Sequence, residues 1–351
     1  MAGLASRLAQ RGHQVSLLTF QGGEDQYAVA DAVQRLRLPS THGTGIPVLG
    51  RVQGLRRRWQ TLADQLIASQ PDVVLSFCDR NNVDVLIALG AATSQQTKLP
   101  VVVCERSDPS QQSAGRWRQV ARRRLYSKAA AVVALTQTSA NHLLPFGGNV
   151  VVIPSAVEEP TSFSDRDLAC QQHSIVAAGR LEPEKGFDRL IKAFAMGLQA
   201  SPEWKLIIHG QGSQLESLQD LAKQLGIAER VTFPGWTSPL APAIAEATVF
   251  CLSSRYEGFP SVVMEAMSMG VPTLSVDCES GPREIITHGV DGWLVEPTEE
   301  ALAAGLKQLV ENEAERERLG REGKKITQRF GWPAMVDQYE RLLEECGQGT
   351  G

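Results

Sequence analysis

The feature that most constrains the fold is a repeated beat: a short continuous apolar run, then a stretch with helical spacing, then another run. The runs lie at 15–20, 73–77, 101–104, 130–135, 150–153, 175–178, 204–208, 231–233, 249–252 and 273–276. A strand that is apolar throughout is covered on both faces, as in parallel sheets layered by helices. The expected class is therefore α/β. At roughly 150 residues per domain, 351 residues predict two doubly wound, Rossmann-like domains facing across a cleft. The polar, Pro- and Ser-containing stretch 158–172 reads as the linker. It separates a first domain, 1–157, from a second, 173–332.

Residues 1–12 predict an amphipathic helix, with Ala2, Leu4, Ala5, Leu8 and Ala9 at helical spacing and Gly12 as its C-cap. Further helices are expected near 83–89, over 115–128 and over 334–346. An α/β domain that opens on a helix lacks the strand that should feed it. Either the fold begins there or a first strand and its loop are missing.

Charge is divided unevenly. The chain carries a net −4, yet residues 1–160 hold 17 Lys and Arg against 11 Asp and Glu, and residues 161–351 hold 18 against 28. A basic half and an acidic half suggest different partners. The six Cys are scattered, with no metal-ligand spacing. They read as reduced thiols of a cytoplasmic protein. No apolar run reaches the ~18 residues that a spanning helix needs, so a soluble or peripheral protein is expected.

Four segments follow strand ends in the second half. In the first, Gly179 closes a strand, and Arg180 and Lys185 leave the same turn before a helix expected near Gly186. Two cations beside a helix start suit a diphosphate, although solvated surface charges explain them equally well. In the second, His209-Gly210-Gln211-Gly212, the glycines allow a ligand to approach the backbone. In the third, Ser253-Ser254-Arg255-Tyr256-Glu257-Gly258-Phe259-Pro260-Ser261-Val262 leads into a helix that carries Glu265. Free amides there can hold phosphate or sugar oxygens, and carboxylates can accept hydrogen bonds from hydroxyls. A carboxylate stabilised by the helix dipole is the alternative for Glu265. The fourth, Glu279–Ile286, again places Gly and Pro at a helix start, and 288–295 reads as a turn and a short strand.

Together these segments resemble the nucleotide-binding half of family 4 retaining glycosyltransferases of the GT-B fold. The resemblance spans about 172–330 in order and spacing, and Glu257 and Glu265 match the family's E-x7-E motif. The front half is similar too, and Cys104-Glu105-Arg106-Ser107-Asp108-Pro109 resembles transferases that extend lipid-linked oligosaccharides. Residues 333–351 resemble the C-terminal helix that crosses back to the first domain. The family begins with a strand and a Gly-rich loop, so the resemblance implies that both are missing from the front of this chain.

The resemblance implies transfer of a sugar from a nucleotide sugar, with UDP favoured, to a hydroxyl of a saccharide acceptor, in polysaccharide or glycoconjugate synthesis. It implies retention of configuration and front-face attack, with no metal or other cofactor. Arg180 and Lys185 would stabilise the leaving diphosphate. Glu257 and the amides of Gly258 to Ser261 would meet the donor sugar. Gly179, Gly210, Gly212 and Val262 would line the donor site, and Glu265 would hold the ribose. Glu105 and Arg106 follow a strand. They would contact an acceptor, or they form a structural ion pair.

Two basic clusters lie in the first half: Arg51, Arg56, Arg57 and Arg58 beside Trp59, and Arg116, Arg118, Arg122, Arg123 and Arg124 with Trp117, followed by Tyr126 and Lys128. They are solvated faces, or they meet anionic lipid headgroups or a lipid diphosphate at the inner face of a membrane. No nucleic-acid recognition motif accompanies them. The competing readings are a GT-B epimerase or hydrolase of sugar nucleotides, and an inactive sugar-nucleotide-binding module.

Overall fold

The computed structural model describes residues 1–20, 28–38, 48–92, 99–106, 116–160 and 173–348, with backbone alone at 48–52, 92 and 116. The chain divides into two compact units, Met1–Ile153 with Pro333–Gly351, and Pro154–Trp332. Most of the expected linker, 161–172 with Cys170, lies outside the described residues, as do Ser107, Asp108 and Pro109 and the side chains of Arg51 and Arg116.

The first unit holds two parallel sheets among the described residues. One pairs β1 (Ser16–Phe20) with β2 (Gln34–Leu38). The other runs in the order β3 (Val74–Phe77), β4 (Val101–Cys104), β5 (Ala131–Ala134), β6 (Val150–Val152). β4 and β5 are buried at every residue, as central parallel strands must be. β2 was not expected from the sequence. Its Gln34, Arg35 and Arg37 interrupt the apolar pattern, and its burial is mixed, as an edge strand allows.

The helices Val48–Ala68 and Asp79–Ala92 pack on one another. Leu62, Ala63 and Leu66 from the first, and Val85, Leu86 and Leu89 from the second, join Val74, Val101, Val103 and Val132 of the sheet in one core. Each of the Leu and Val side chains contributes about 1.5–3 kcal/mol of burial. The opening helix spans Ala2–Gln10, and Gly12 follows it with φ 98. The last helix, Trp332–Gln348, returns to this unit: Arg11 pairs with Asp337 and Glu340 at 2.6 Å, and the buried Tyr339 donates its hydroxyl hydrogen to Cys104 Sγ.

The second unit is one six-stranded parallel sheet. Its strands are β7 (Ser174–Ala178), β8 (Lys205–His209), β9 (Val231–Gly235), β10 (Val249–Leu252), β11 (Thr273–Val276) and β12 (Trp293–Val295), in the spatial order β12-β11-β10-β7-β8-β9. β7, β10 and β11 are wholly buried, while the edge strand β9 alternates. Ile175, Leu206, Val249 and Leu274 form the core with Leu190 and Phe194 of the helix Phe187–Gly197 and with Leu302 and Leu306 of Glu299–Glu311. From β7 the chain winds outward through β8 and β9. It then returns to β10 and winds the other way, so the strand order reverses between β7 and β10. Ligands of doubly wound sheets bind beyond the carboxyl ends of strands at this point.

Candidate functional site at the reversal of the second sheet

The loops leaving β7 and β10 meet at the reversal. After β7 comes the 3₁₀ turn Pro183–Lys185, and then Gly186 with φ 62 opens the helix Phe187–Gly197. A Cβ on Gly186 would collide with the carbonyl oxygen of Ser253, so only glycine lets the two loops touch here. Lys185 Nζ donates to Glu257 Oε1 at 2.7 Å, and Ser254 Oγ donates to the same oxygen at 2.6 Å. The side chains of Lys185 and Glu257 remain 21% and 11% exposed, so the pair is recessed yet reachable.

Arg255 ties the loops together from outside. Its guanidinium donates to both oxygens of Asp188, at 2.9 and 2.7 Å, and to the Pro183 carbonyl, while its backbone N–H donates to the Glu184 carbonyl at 2.8 Å. Ser253 Oγ adds a bond to the Lys185 carbonyl at 2.9 Å. The sequence assigns neither Ser254 nor Arg255 a role. Both precede Glu257 directly, but nothing local distinguishes them from ordinary loop residues.

The helix Ser261–Ser268 begins just beyond, with Pro260 as its N-cap and no side-chain cap. Val263 N–H bonds the Pro260 carbonyl at 3.1 Å, so the amides of Ser261 and Val262 are those offered to a ligand. Phe259 is buried edge-to-face on Phe330 at 5.4 Å, which fixes the loop before the helix. Half-buried Glu265 has its carboxyl raised above the ordinary range by burial, opposed by a hydrogen bond from Ser261. Cys278, after β11, is buried near Glu257, and burial pushes its thiol up to about 12.

Arg180 is brought to the same strand end but turns outward. Its guanidinium donates to Glu184 at 2.7 Å and its side chain is 70% exposed. Gly210 and Gly212 serve packing before any ligand. A Cβ on the first would strike the Gly179 carbonyl, and one on the second the Leu181 carbonyl. They let the turns after β7 and β8 close on each other, a tighter role than the ligand approach expected from the sequence. Glu182 then accepts from Ser213 N–H at 2.9 Å and Ser213 Oγ at 2.7 Å. Asp291 is structural: it caps Thr287 N–H and pairs with Arg329.

The first unit treats its candidates differently. Glu105 is 1% exposed. It accepts the Tyr126 hydroxyl hydrogen and lies 3.6 Å from Arg122; Asn82 Nδ2 bonds Tyr126 Oη at 3.2 Å. Burial raises its carboxyl against the pull of both neighbours. The ion pair left open between Glu105 and Arg106 is not formed, because the cation that faces Glu105 is Arg122. Arg106 is exposed. The basic clusters are thinned in the same way. Arg58 is buried against Asp84 at 3.1 Å and over the Phe20 ring, and Trp59 Nε1 also donates to Asp84.

Comparison with known proteins agrees with this architecture. Residues 160–326 match the family described as Glycosyl transferases group 1, and residues 1–156 match the Glycosyl transferase 4-like domain. A solved structure of Anabaena HepE with UDP-glucose superposes with a TM-score of 0.75 at 20% identity, covering 94% of this chain and 99% of that one. Both matched domains are glycosyl transferase domains, and the fold of the chain is the GT-B fold. An N-acetylgalactosaminyltransferase of Campylobacter jejuni, named for an acceptor linked to diphospho-undecaprenol, is 26% identical over 97% of this chain and 93% of its own length. An exopolysaccharide phosphotransferase of Streptomyces coelicolor is 35% identical over 61% of this chain, but this chain spans only 23% of that protein. Among the described residues, no helix is long and apolar enough to cross a membrane.

Proposed function

We propose that the protein transfers a hexose from a UDP-sugar to a hydroxyl of a lipid-linked saccharide, with retention of configuration, in the synthesis of a polysaccharide or glycoconjugate. The observation that carries this reading is the Lys185–Glu257 pair at the sheet reversal, beside the uncapped start of Ser261–Ser268. A diphosphate needs cations and free amides. A sugar ring needs a carboxylate that can accept from hydroxyls. This recess offers both within one loop pair.

In this reading Lys185, joined by Arg180 turning inward, takes the charge that develops on the leaving diphosphate. The amides of Gly258, Phe259, Ser261 and Val262 add preorganised donors, each worth about 3 kcal/mol in such a site. Glu257 orients the sugar and Glu265 accepts from the ribose hydroxyls. Gly179, Gly210 and Gly212 keep the backbone of the donor site low. The leaving phosphate assists deprotonation of the acceptor, and no metal takes part. Arg106 contacts the acceptor side, while Glu105 supports it from within the core. The relatives' names favour a UDP-sugar and an acceptor carried on a diphosphate lipid. That acceptor places the protein at the inner face of a membrane, attached peripherally through the first unit.

The test is transfer from labelled UDP-hexoses to undecaprenyl-diphosphate saccharides, with the product's anomeric configuration read by NMR. Labelled product of retained configuration supports the reading. Inverted product, or release of free sugar without transfer, contradicts it.

A further inference from the structure

The helix Arg116–Leu125 holds five arginines and no acid, and Lys128 follows it. Successive residues turn about 100° around a helix. Trp117, Val120, Arg123 and Arg124 therefore share one side, and Arg118, Arg122 and Leu125 share the other. The structure keeps that division except at Arg118, whose guanidinium reaches over the Trp117 ring at 4.9 Å. Arg122 is buried toward Glu105, whereas Trp117 and Val120 are each 50% exposed and Arg123, Arg124 and Lys128 are open to solvent. The 3₁₀ turn Leu144–Phe146 packs against this helix, with Leu144 55% exposed and the Phe146 ring under Arg123. Exposed large apolar side chains are costly unless something covers them, and here they stand among cations that no acid of the same helix neutralises.

We propose that this face docks on an anionic lipid bilayer. Trp117, Val120 and Leu144 enter the boundary between headgroups and acyl chains, and Arg123, Arg124 and Lys128 pair with lipid phosphates. The proposal rests on the peripheral location argued above and assigns it to one surface. The charge complementarity is specific to this helix. On Val48–Ala68, Arg58 is turned inward to Asp84, and the exposed Ile67 lies nine residues beyond it, roughly 14 Å along the axis. Among the described residues of that helix, Ile67 is the exposed large apolar side chain, and it lies more than two turns from the exposed Arg56 and Arg57.

Co-sedimentation of the full chain with vesicles tests this, using phosphatidylcholine alone and phosphatidylcholine mixed with phosphatidylglycerol. The protein is expected to bind the mixed vesicles at low salt and to be released by salt. Arg123→Ser with Arg124→Ser should lower the partition roughly thirtyfold. Trp117→Ser with Val120→Ser should lower it as well, while Arg56→Ser with Arg57→Ser retains most of it. Unchanged UDP-induced stabilisation in each variant confirms an intact fold. Retention that survives both face variants overturns the assignment of the face alone. No retention by mixed vesicles at low salt overturns the face and the peripheral location together. Neither result touches the donor-site reading, which nucleotide binding tests separately.

Discussion

Glu105 and Glu257 stand at equivalent addresses, just past the carboxyl end of a central parallel strand, in different units. Their surroundings differ entirely. Glu105 is sealed, facing Arg122 and bonded to Tyr126, and its carboxyl is raised by burial. Glu257 is recessed but open, with Lys185 and Ser254 on one oxygen. The strand end supplies a location; the following loop decides whether a carboxylate serves the core or a ligand. After β4 the chain sends Glu105 straight inward. After β10, Ser253 to Tyr256 carry the chain across to the neighbouring loop before Glu257 appears.

The largest expected effect breaks the open carboxylate's pairing. Lys185→Ala and Glu257→Ala should each reduce transfer by about a hundredfold or more, with little change in the unfolding midpoint. Glu105→Ala should do the reverse. It leaves Arg122 and Tyr126 facing an emptied site and costs about 3 kcal/mol in denaturant unfolding, while UDP affinity per folded molecule stays the same. Arg255→Ala releases the clamp between the loops. A fall in transfer of about tenfold is expected, and Arg255→Lys should recover only part of it, because a lysine cannot grip Asp188 with two parallel bonds.

A pH series sharpens the contrast further. The folded protein holds Glu105's proton more tightly than the unfolded chain does, so this residue contributes most at acid pH. Its contribution falls as pH rises from the ordinary glutamate value toward the raised one. Replacing it by Gln should flatten that part of the stability profile, which thermal unfolding followed upward from about pH 4 would register. Arg180→Ala gives the smallest structural effect: its exposed i,i+4 pair with Glu184 should be worth nothing measurable in unfolding. Any loss it causes belongs to transfer.

Much of the second unit is legible in the chain because its strands are short, apolar and buried on both faces. The loops that follow them therefore fall at strand ends by necessity, which is how Lys185, Glu257 and Glu265 were located. Orientation was not legible. Arg58 finds Asp84 on another helix, and Arg122 finds Glu105 seventeen residues earlier on a different element. No local pattern announces either, so runs of arginine read as surface charges, solvated or facing lipid, when two of their members are core residues. β2 was hidden because an edge strand tolerates Arg35 and Arg37. The glycines of Gly210-Gln211-Gly212 were located correctly, but their reason is a backbone contact between two turns that only three dimensions reveal.

The central claim is that the loop pair at the reversal of the second sheet binds a nucleotide sugar's diphosphate through Lys185. Calorimetric titration of UDP into the parent protein and into Lys185→Ala tests it most directly. The account predicts saturable binding by the parent and a loss of at least about tenfold in affinity in the variant, as removal of a charge-assisted bond requires. Equal affinity in the two proteins, or no binding by the parent, would contradict it.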